Sequence, residues 1–390
     1  MATITKRNNS YRITVSSGYD NEGKQKRYTM TFTPSSGLTE KQAEKEARRQ
    51  AALFEERVRT GQYMESGVKL QEFIELWFKD YAADRLRTKT IDRYKQLSKR
   101  ICQSLGHLQL RSIQPHHLIE FYKLLSSDGQ NEATGGALSP QTIKHYHGFL
   151  SSVLETAVKW GVILNNPCKR VDPPKVPKKE LNFLDGDELR ILIAALDKES
   201  VETKCLFYIA IYTGMRRSEL LGLEWEDIDF EKNVIHIRRT SQYTTQNGIY
   251  TDTTKTEQSK RILKVMPSLM NIIKEHKTEQ AKERLKLGDR WQNCNRLFTN
   301  LDGSPMALNT PYKRLQKLLE DNGLKQVTFH SLRHSNASLL IFQGTDIKTV
   351  SKRLGHSQTS TTMNIYTHQI KEADELAAEA LELALTSKKA

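Results

Sequence analysis

The chain has 390 residues, with 60 Lys and Arg against 46 Asp and Glu, a formal charge of +14 at pH 7. That length exceeds one ordinary hydrophobic core and predicts two or three domains, and the basic excess points to an anionic partner, with nucleic acid foremost. No apolar run approaches a membrane span, the stretch from Met1 to Arg12 has no apolar export core, and Cys102, Cys168, Cys205 and Cys294 lie too far apart for a Cys-x-x-Cys zinc site or a dense disulfide framework, so a cytoplasmic protein with reduced thiols is expected.

The first segment alternates polar and apolar residues in SYRITVSS, turns at YDNEGK and resumes as KRYTMTFT, the period of paired strands. LTEKQAEKEARRQAALFEERVRTG follows, made of helix formers with Thr39 as a candidate N-cap and a closing glycine. A three-stranded sheet plus helix is expected over 1–66. Arg12, Lys24, Lys26 and Arg27 fall on or beside its strands, either as a solvated sheet face or as a strand surface laid in a DNA groove.

From Val68 the pattern turns helical in LQEFIELWFKDYAADRL, TKTIDRYKQLSKRICQSLG, HHLIEFYKLLSSDG and SPQTIKHYHGFLSSVLETAVKWGVI, predicting a bundle over 67–170. Ser139 as N-cap, Pro140 at the first helical position and Gly161 at the end punctuate the last of these helices. Lys89, Arg93, Lys144 and His145 sit at or near helix starts, from which side chains and backbone N–H groups reach phosphates; an ordinary charged helix surface explains each one equally. The proline-rich VDPPKVPKKE, residues 171–180, cannot continue a helix and reads as an interdomain linker.

Downstream, DGDELRILIAALDKES and ETKCLFYIAIYTGMRRSELLGL are expected to be helical. VIHIRRTSQYTTQNGIYTDTTKTEQSKRILKVMP reads as three strands with polar turns. Helices resume at SLMNIIKEHKTEQAKERLKLG, TPYKRLQKLLEDNG and FHSLRHSNASLLIFQG and, after DIKTVSKRLG, in the amphipathic tail EADELAAEALELAL that closes the chain. The fold class expected is multidomain and mainly α with small β-sheets (α+β), with a mixed α/β domain over 181–370 and a tail over 371–390.

Four stretches of this last part gather residues suited to a phosphate. In TGMRRSEL, Gly214 lets the chain turn before Arg216, and Glu219 lies one helical turn on, able to hold the guanidinium; a purely structural ion pair fits the same spacing. In TFHSLRHS, His330 and Arg333 project from one helix face behind a Thr328 cap, so that an arginine fork, a helix N-terminus and a histidine that titrates near neutrality share one site. His330 and His334 also have the spacing of metal ligands, but the interval lacks the glutamate of a His-Glu-x-x-His helix and no third ligand stands at a characteristic distance. His356 follows a glycine in RLGHSQ, and Tyr366 comes ten residues later; Lys255, in TTKTEQSKR, falls near a turn of the predicted sheet.

TGMRRSELLGLEW, a hairpin KT, HSLRH, LGH and a tyrosine, in this order over about 150 residues, resemble the tyrosine recombinase family. The resemblance is strongest from Leu184 to His368; the bundle resembles the family's core-binding domain, and the first module the arm-binding domain of phage and conjugative-transposon integrases. It implies that Tyr366 attacks a scissile phosphate to form a 3′-phosphotyrosyl link, that Arg216 and Arg333 clamp the phosphate, that Lys255 protonates the leaving 5′-oxygen, that His330 and His356 assist, and that Glu219 orients Arg216. Arg217 rivals Arg216 and Lys260 rivals Lys255; the family's position directly after Thr-Gly-x favours Arg216. The function implied is an integrase of a mobile element that recombines double-stranded DNA at core and arm-type sites as a homotetramer, through a Holliday junction. It would need no metal, ATP or other cofactor, and would work with accessory directionality or DNA-bending proteins in a bacterial cytoplasm, nucleoid-associated when active. The alternatives are an Xer-like housekeeping resolvase, a type IB topoisomerase and, from another class, a noncatalytic DNA-binding regulator.

Overall fold

The computed structural model describes residues 2–19, 23–35, 37–59, 67–177, 182–253 and 260–355, with Lys26 described by its backbone alone. The chain divides into two compact units, Met1–Lys178 and Lys179–Ala390.

In the first unit, β1 (Thr3–Arg7), β2 (Ser10–Tyr19) and β3 (Gln25–Phe32) form an antiparallel sheet in the order β1-β2-β3. The period-2 pattern assigns the faces. Tyr11, Ile13 and Val15 of β2 are buried, and α1 (Glu40–Arg59) covers them with Ala43, Ala47, Ala51, Phe54 and Val58, a stripe at helical spacing. The other face follows from the register. Arg12 pairs with Thr5 and Thr31, Thr14 with Thr3 and Thr29, and Ser16 with Arg27, and paired residues share a face. That face therefore presents hydroxyls and arginines and no apolar side chain at these positions.

The helical part of this unit holds α2 (Leu70–Trp77), which runs through a π-helical turn, Phe78–Ala82, into α3 (Ala83–Arg85), then α4 (Thr88–Leu105), α5 (Pro115–Leu125) and α6 (Pro140–Lys159). One uninterrupted helix is expected over 70–86 from the sequence. The extra residue of the π turn shifts the inward face, and Trp77 and Phe78 both lie against Phe149 of α6, with centroids 5.7 and 6.0 Å away. Trp77 is fully buried, and its indole N–H donates to the Thr156 hydroxyl at 3.0 Å, which removes the penalty of an unpaired donor in the core. Ser139 caps α6 by accepting from the Thr142 N–H, ahead of Pro140.

The second unit opens with α7 (Gly186–Leu196), capped by Asp185, then α8 (Val201–Thr213) and the single turn α9 (Arg217–Leu220). Cys205, Leu206, Phe207, Ile209 and Ala210 are all buried, so α8 has apolar residues on every side and forms the central element of its core. After β4 (Ile228–Asp229), four further strands lie between 234 and 264 among the described residues, where three are expected from the sequence: β5 (Val234–Ile237), β6 (Arg239–Thr244), β7 (Gly248–Thr253) and β8 (Arg261–Lys264). They belong to two sheets, β4-β5-β8 and β6-β7. Only Arg238 separates β5 from β6, and a break of one residue leaves no mark in the alternation. Among the described residues four α-helices follow, α10 (Pro267–Leu287), α11 (Thr310–Asp321), α12 (Phe329–Phe342) and α13 (Ile347–Leu354).

Candidate active site

The run IYTGMRRSEL is one continuous helical pattern in sequence, yet α8 stops at Thr213 because Gly214 takes φ +61°, the left-handed conformation that ends a helix. The turn carries Arg216 to the N-cap position of α9. There is no room for a side chain at 214. A Cβ would stand 2.5 Å from Leu354 Cδ2 of α13 and 2.9 Å from Asn336 Oδ1 of α12. We therefore expect Gly214→Ala to lower stability by roughly 2 to 4 kcal/mol, from backbone strain plus overpacking. Denaturant unfolding of the second unit reads this, and an unchanged midpoint would mean that the three helices do not meet as tightly as described.

Arg216 and Glu219 form the nucleus of the site. Glu219 is 1% exposed; its Oε1 accepts from Arg216 Nη1 at 2.7 Å, and its Oε2 from the Arg216 backbone N–H at 3.0 Å and from Arg261 Nη2 at 2.9 Å. Burial pushes the Glu219 carboxyl upward, but Arg261 and Arg216 outweigh it and the net shift is below the usual carboxylate range. Glu219 is thus an anion at neutral pH. The Arg216 side chain keeps about 36% exposure, and its Nη2 donates to the Gly355 carbonyl at 3.1 Å.

Arg333 joins this cluster from α12, whose first turn is capped by the Thr328 hydroxyl accepting from the Ser331 N–H. Its Nη1 donates to the Gly214 carbonyl at 2.8 Å and its Nη2 to the Leu354 carbonyl at 2.7 Å. At 1% exposure it is, after Trp77, the largest fully buried side chain among the described residues. Burial first, then Arg216, presses its pKa down to about 9, which leaves it cationic at pH 7. Its Nε has no hydrogen-bond partner among the described residues. A buried donor without a partner costs about 1 to 3 kcal/mol and is satisfied by an acceptor brought from outside, such as an oxyanion.

His330 lies one helical turn before Arg333 and keeps an exposed edge, with its ring edge-on to His334 at 4.8 Å. Desolvation, then His334, Arg333 and Arg216, push its pKa down to about 4, so the imidazole is neutral and able to accept a proton at pH 7. No group of three His, Cys, Asp or Glu that could hold a metal ion occurs among the described residues.

The geometry separates Arg216 from Arg217. Arg217 is the first residue of α9 and makes none of the contacts to Glu219, Gly355 or the α13 end that place Arg216 beside Arg333. Lys255, His356 and Tyr366 lie outside the described residues. The strands that flank Lys255 in sequence, β7 and β8, belong to different sheets. Lys260 is exposed immediately before β8. The residue missed from sequence is Arg261, the first of β8, which reads there as an ordinary basic strand residue; its one visible signal is a long cation opening the apolar RILK.

Among the other basic residues, Arg12 and Arg27 are exposed on the hydroxyl-rich sheet face, and Lys24 is exposed just before β3. Lys89 sits in the first turn of α4. Arg93 and Lys144 both press the His145 pKa down, after desolvation, and α4 packs on α6 through Tyr94 and Phe149, with ring centroids 4.7 Å apart.

Residues 182–373 match the phage integrase family, and residues 69–126 match the phage integrase N-terminal SAM-like domain. The protein is 30% identical to a "Tyrosine recombinase XerC-like" of Caldanaerobacter subterraneus subsp. tengcongensis over 95% of each chain. It is 25% identical to the ICEBs1 integrase of Bacillus subtilis over 93% of this chain and 94% of that one. The Tn1549 transposon integrase, solved in complex with a circular intermediate DNA, has the same fold, with a TM-score of 0.63 at 20% identity over 80% of this chain and 100% of the other.

Proposed function

This chain belongs to the phage integrase family of tyrosine recombinases, and from that premise we propose that it is the integrase of a mobile genetic element, an enzyme that cuts and rejoins double-stranded DNA at specific sites. The observation that carries the reading is the convergence of Arg216, held by Glu219, and Arg333 on the carbonyls of Gly214, Leu354 and Gly355, directly before His356 in the chain.

The Tyr366 Oη would attack the scissile phosphorus as its proton passes to neutral His330. The bond from phosphorus to the 5′-oxygen would break, leaving a 3′-phosphotyrosyl link, and the departing oxygen would take a proton from Lys255 or Lys260. Arg216, already partly exposed, would meet the phosphate first. Arg333, almost wholly buried, would offer its unpartnered Nε to a nonbridging oxygen. His356 would donate to the same phosphate. Rejoining reverses these steps with the 5′-hydroxyl of a partner strand, so that bond energy is conserved without ATP.

The Arg12 and Arg27 sheet face, with Lys24 and Lys26, would contact an arm-type site. Lys89, Arg93, Lys144 and His145 would follow the core-site backbone, as a bundle surface of this charge does. We assign the segments 1–66, 67–170, 171–180, 181–370 and 371–390 as arm-binding module, core-binding domain, linker, catalytic domain and a tail that contacts a neighbouring protomer. Strand exchange through a Holliday junction would occur in a homotetramer, aided by directionality or DNA-bending proteins, in the cytoplasm and on the nucleoid; among the described residues no helix is long and apolar enough to cross a membrane. The XerC-like relative favours a second reading, a housekeeping resolvase of the same chemistry. The sheet module ahead of the bundle favours the integrase.

A nicked duplex carrying the element's joined ends, which loses its released fragment after cleavage, tests the reading. In EDTA the wild type should yield a slow-migrating protein–DNA band on a denaturing gel. Tight, specific binding without that band would favour the noncatalytic regulator.

The His330 ring gives a separate expectation in the free protein. Its folded pKa lies below the unfolded value of 6.5, so the stability tied to the neutral ring is complete above pH 6.5 and is lost as pH falls through about 4. An NMR titration, with His330→Gln for assignment, should find a midpoint well below 6.5. A midpoint at or above 6.5 would remove the crowding by Arg216 and Arg333 on which its role as proton acceptor rests.

A further inference from the structure

The C-terminal end of α13 receives an arginine at each of three successive carbonyls. Arg261 Nε donates to the Arg353 carbonyl at 2.7 Å, Arg333 Nη2 to Leu354 at 2.7 Å and Arg216 Nη2 to Gly355 at 3.1 Å. These are carbonyls that a helix end leaves without intrahelical partners, at the negative end of its dipole. Gly355 closes the helix at φ +69°, and a Cβ there would stand 2.9 Å from Arg261 Nη1 and 3.2 Å from its Cζ, so the guanidinium packs directly on the glycine. Two of the three arginines are already assigned to the phosphate. The third is not.

We propose that Arg261 is a positioning residue for the cleavage step, which holds Glu219 and the α13 end together so that Arg216 keeps its direction for the phosphate. The inference rests on the recombinase reading and deepens it. Arg261 has 7% side-chain exposure and Glu219 2%, and Arg261 Nη2 lies 2.9 Å from Glu219 Oε2. Glu219 thus stands between two arginines, and the four charges of Arg216, Arg261, Arg333 and Glu219 sum to +2. Without Arg261 the sum falls to +1, Glu219 is left to Arg216 alone, and the Arg353 carbonyl loses its donor. Each change weakens what a phosphate meets at Arg216, although Arg261 itself need not touch DNA. Because Arg261 opens β8, directly after segment 254–260, the same side chain ties the start of that strand to the arginine clamp.

The test is single-turnover cleavage of the nicked duplex in EDTA by wild type, Arg261→Gln and Arg261→Lys, with DNA affinity and thermal unfolding measured in parallel. Arg261→Gln should slow covalent attachment about 10- to 100-fold, the range for loss of a group that orients a reacting residue, with DNA affinity within about threefold of wild type. Arg261→Lys should recover part of the rate, because it restores a cation beside Glu219. A merely structural arginine would instead lower the melting point and depress binding and cleavage together. That pattern, or an Arg261→Gln rate within about threefold of wild type, overturns the proposal. A wild type that forms no adduct overturns the recombinase reading, and this inference with it.

Discussion

Tyr366→Phe is expected to bind the attachment-site duplex as tightly as the wild type and to form no covalent adduct with it. The substitution removes one oxygen and no charge, so the positive surface that holds the backbone is unchanged. On the proposed mechanism chemistry is lost entirely, because that oxygen would be the atom that bonds to phosphorus, and nothing in a phenyl ring replaces it. An ordinary tyrosine hydroxyl has a pKa near 10 and is almost wholly protonated at neutral pH, so its attack needs a proton acceptor and nearby cations. A neutral His330, held so by burial and by His334, Arg333 and Arg216, fits the first need; the net positive charge around Glu219 fits the second. Denaturing gels with a nicked duplex whose cleaved strand is labelled at its 5′ end, beside native gels for affinity, read both halves of the prediction. An adduct that persists in Tyr366→Phe would show that another residue is the nucleophile.

The elements of the fold that the sequence displays are those with a long, one-sided pattern. The α1 stripe, the Ser139–Pro140 start of α6 and the alternation in β2 each bury one face, and burial of one face writes its period into the sequence. The π turn at Phe78–Ala82 has no such signature, because its neighbours are apolar in either register. The split of residues 234–264 into two sheets is hidden for a different reason: pairing partners are set by contacts across the fold, and β5 meets β8 after an intervening hairpin. At the site, Arg216 and Glu219 were readable because the ion pair spans three residues of one turn, and Arg333 because it shares a helix face with His330. Arg261 was not readable. Its partners are 42 and 92 residues away, and a cation at the start of a strand carries no local mark of a buried carboxylate elsewhere.

Arg333→Lys is expected to slow covalent attachment by about 10²- to 10³-fold, the range measured when one preorganised donor to a developing oxyanion is removed. Charge alone does not meet the demands on this side chain. Arg333 reaches the Gly214 carbonyl through one terminal nitrogen and the Leu354 carbonyl through the other, which ties the left-handed turn before Arg216 to the end of α13. Its Nε, with no partner among the described residues, is left for a third acceptor. A planar guanidinium fixes those donors at set angles, whereas a lysine ammonium is a single point on a flexible stem and cannot span both carbonyls while presenting a third donor. The lysine variant keeps the cation in a site that already holds Glu219, so the fold is spared a buried anion facing fewer positive charges, and the larger effect falls on the chemical step. Single-turnover rates measured beside DNA affinity and thermal unfolding separate these contributions. The expected pattern is a large fall in rate, a modest fall in melting temperature and little change in affinity. If Arg333→Lys cleaved at the wild-type rate, positive charge would suffice at this position, and the convergence of Arg333 on Gly214 and Leu354 would hold the turn together without serving the phosphate.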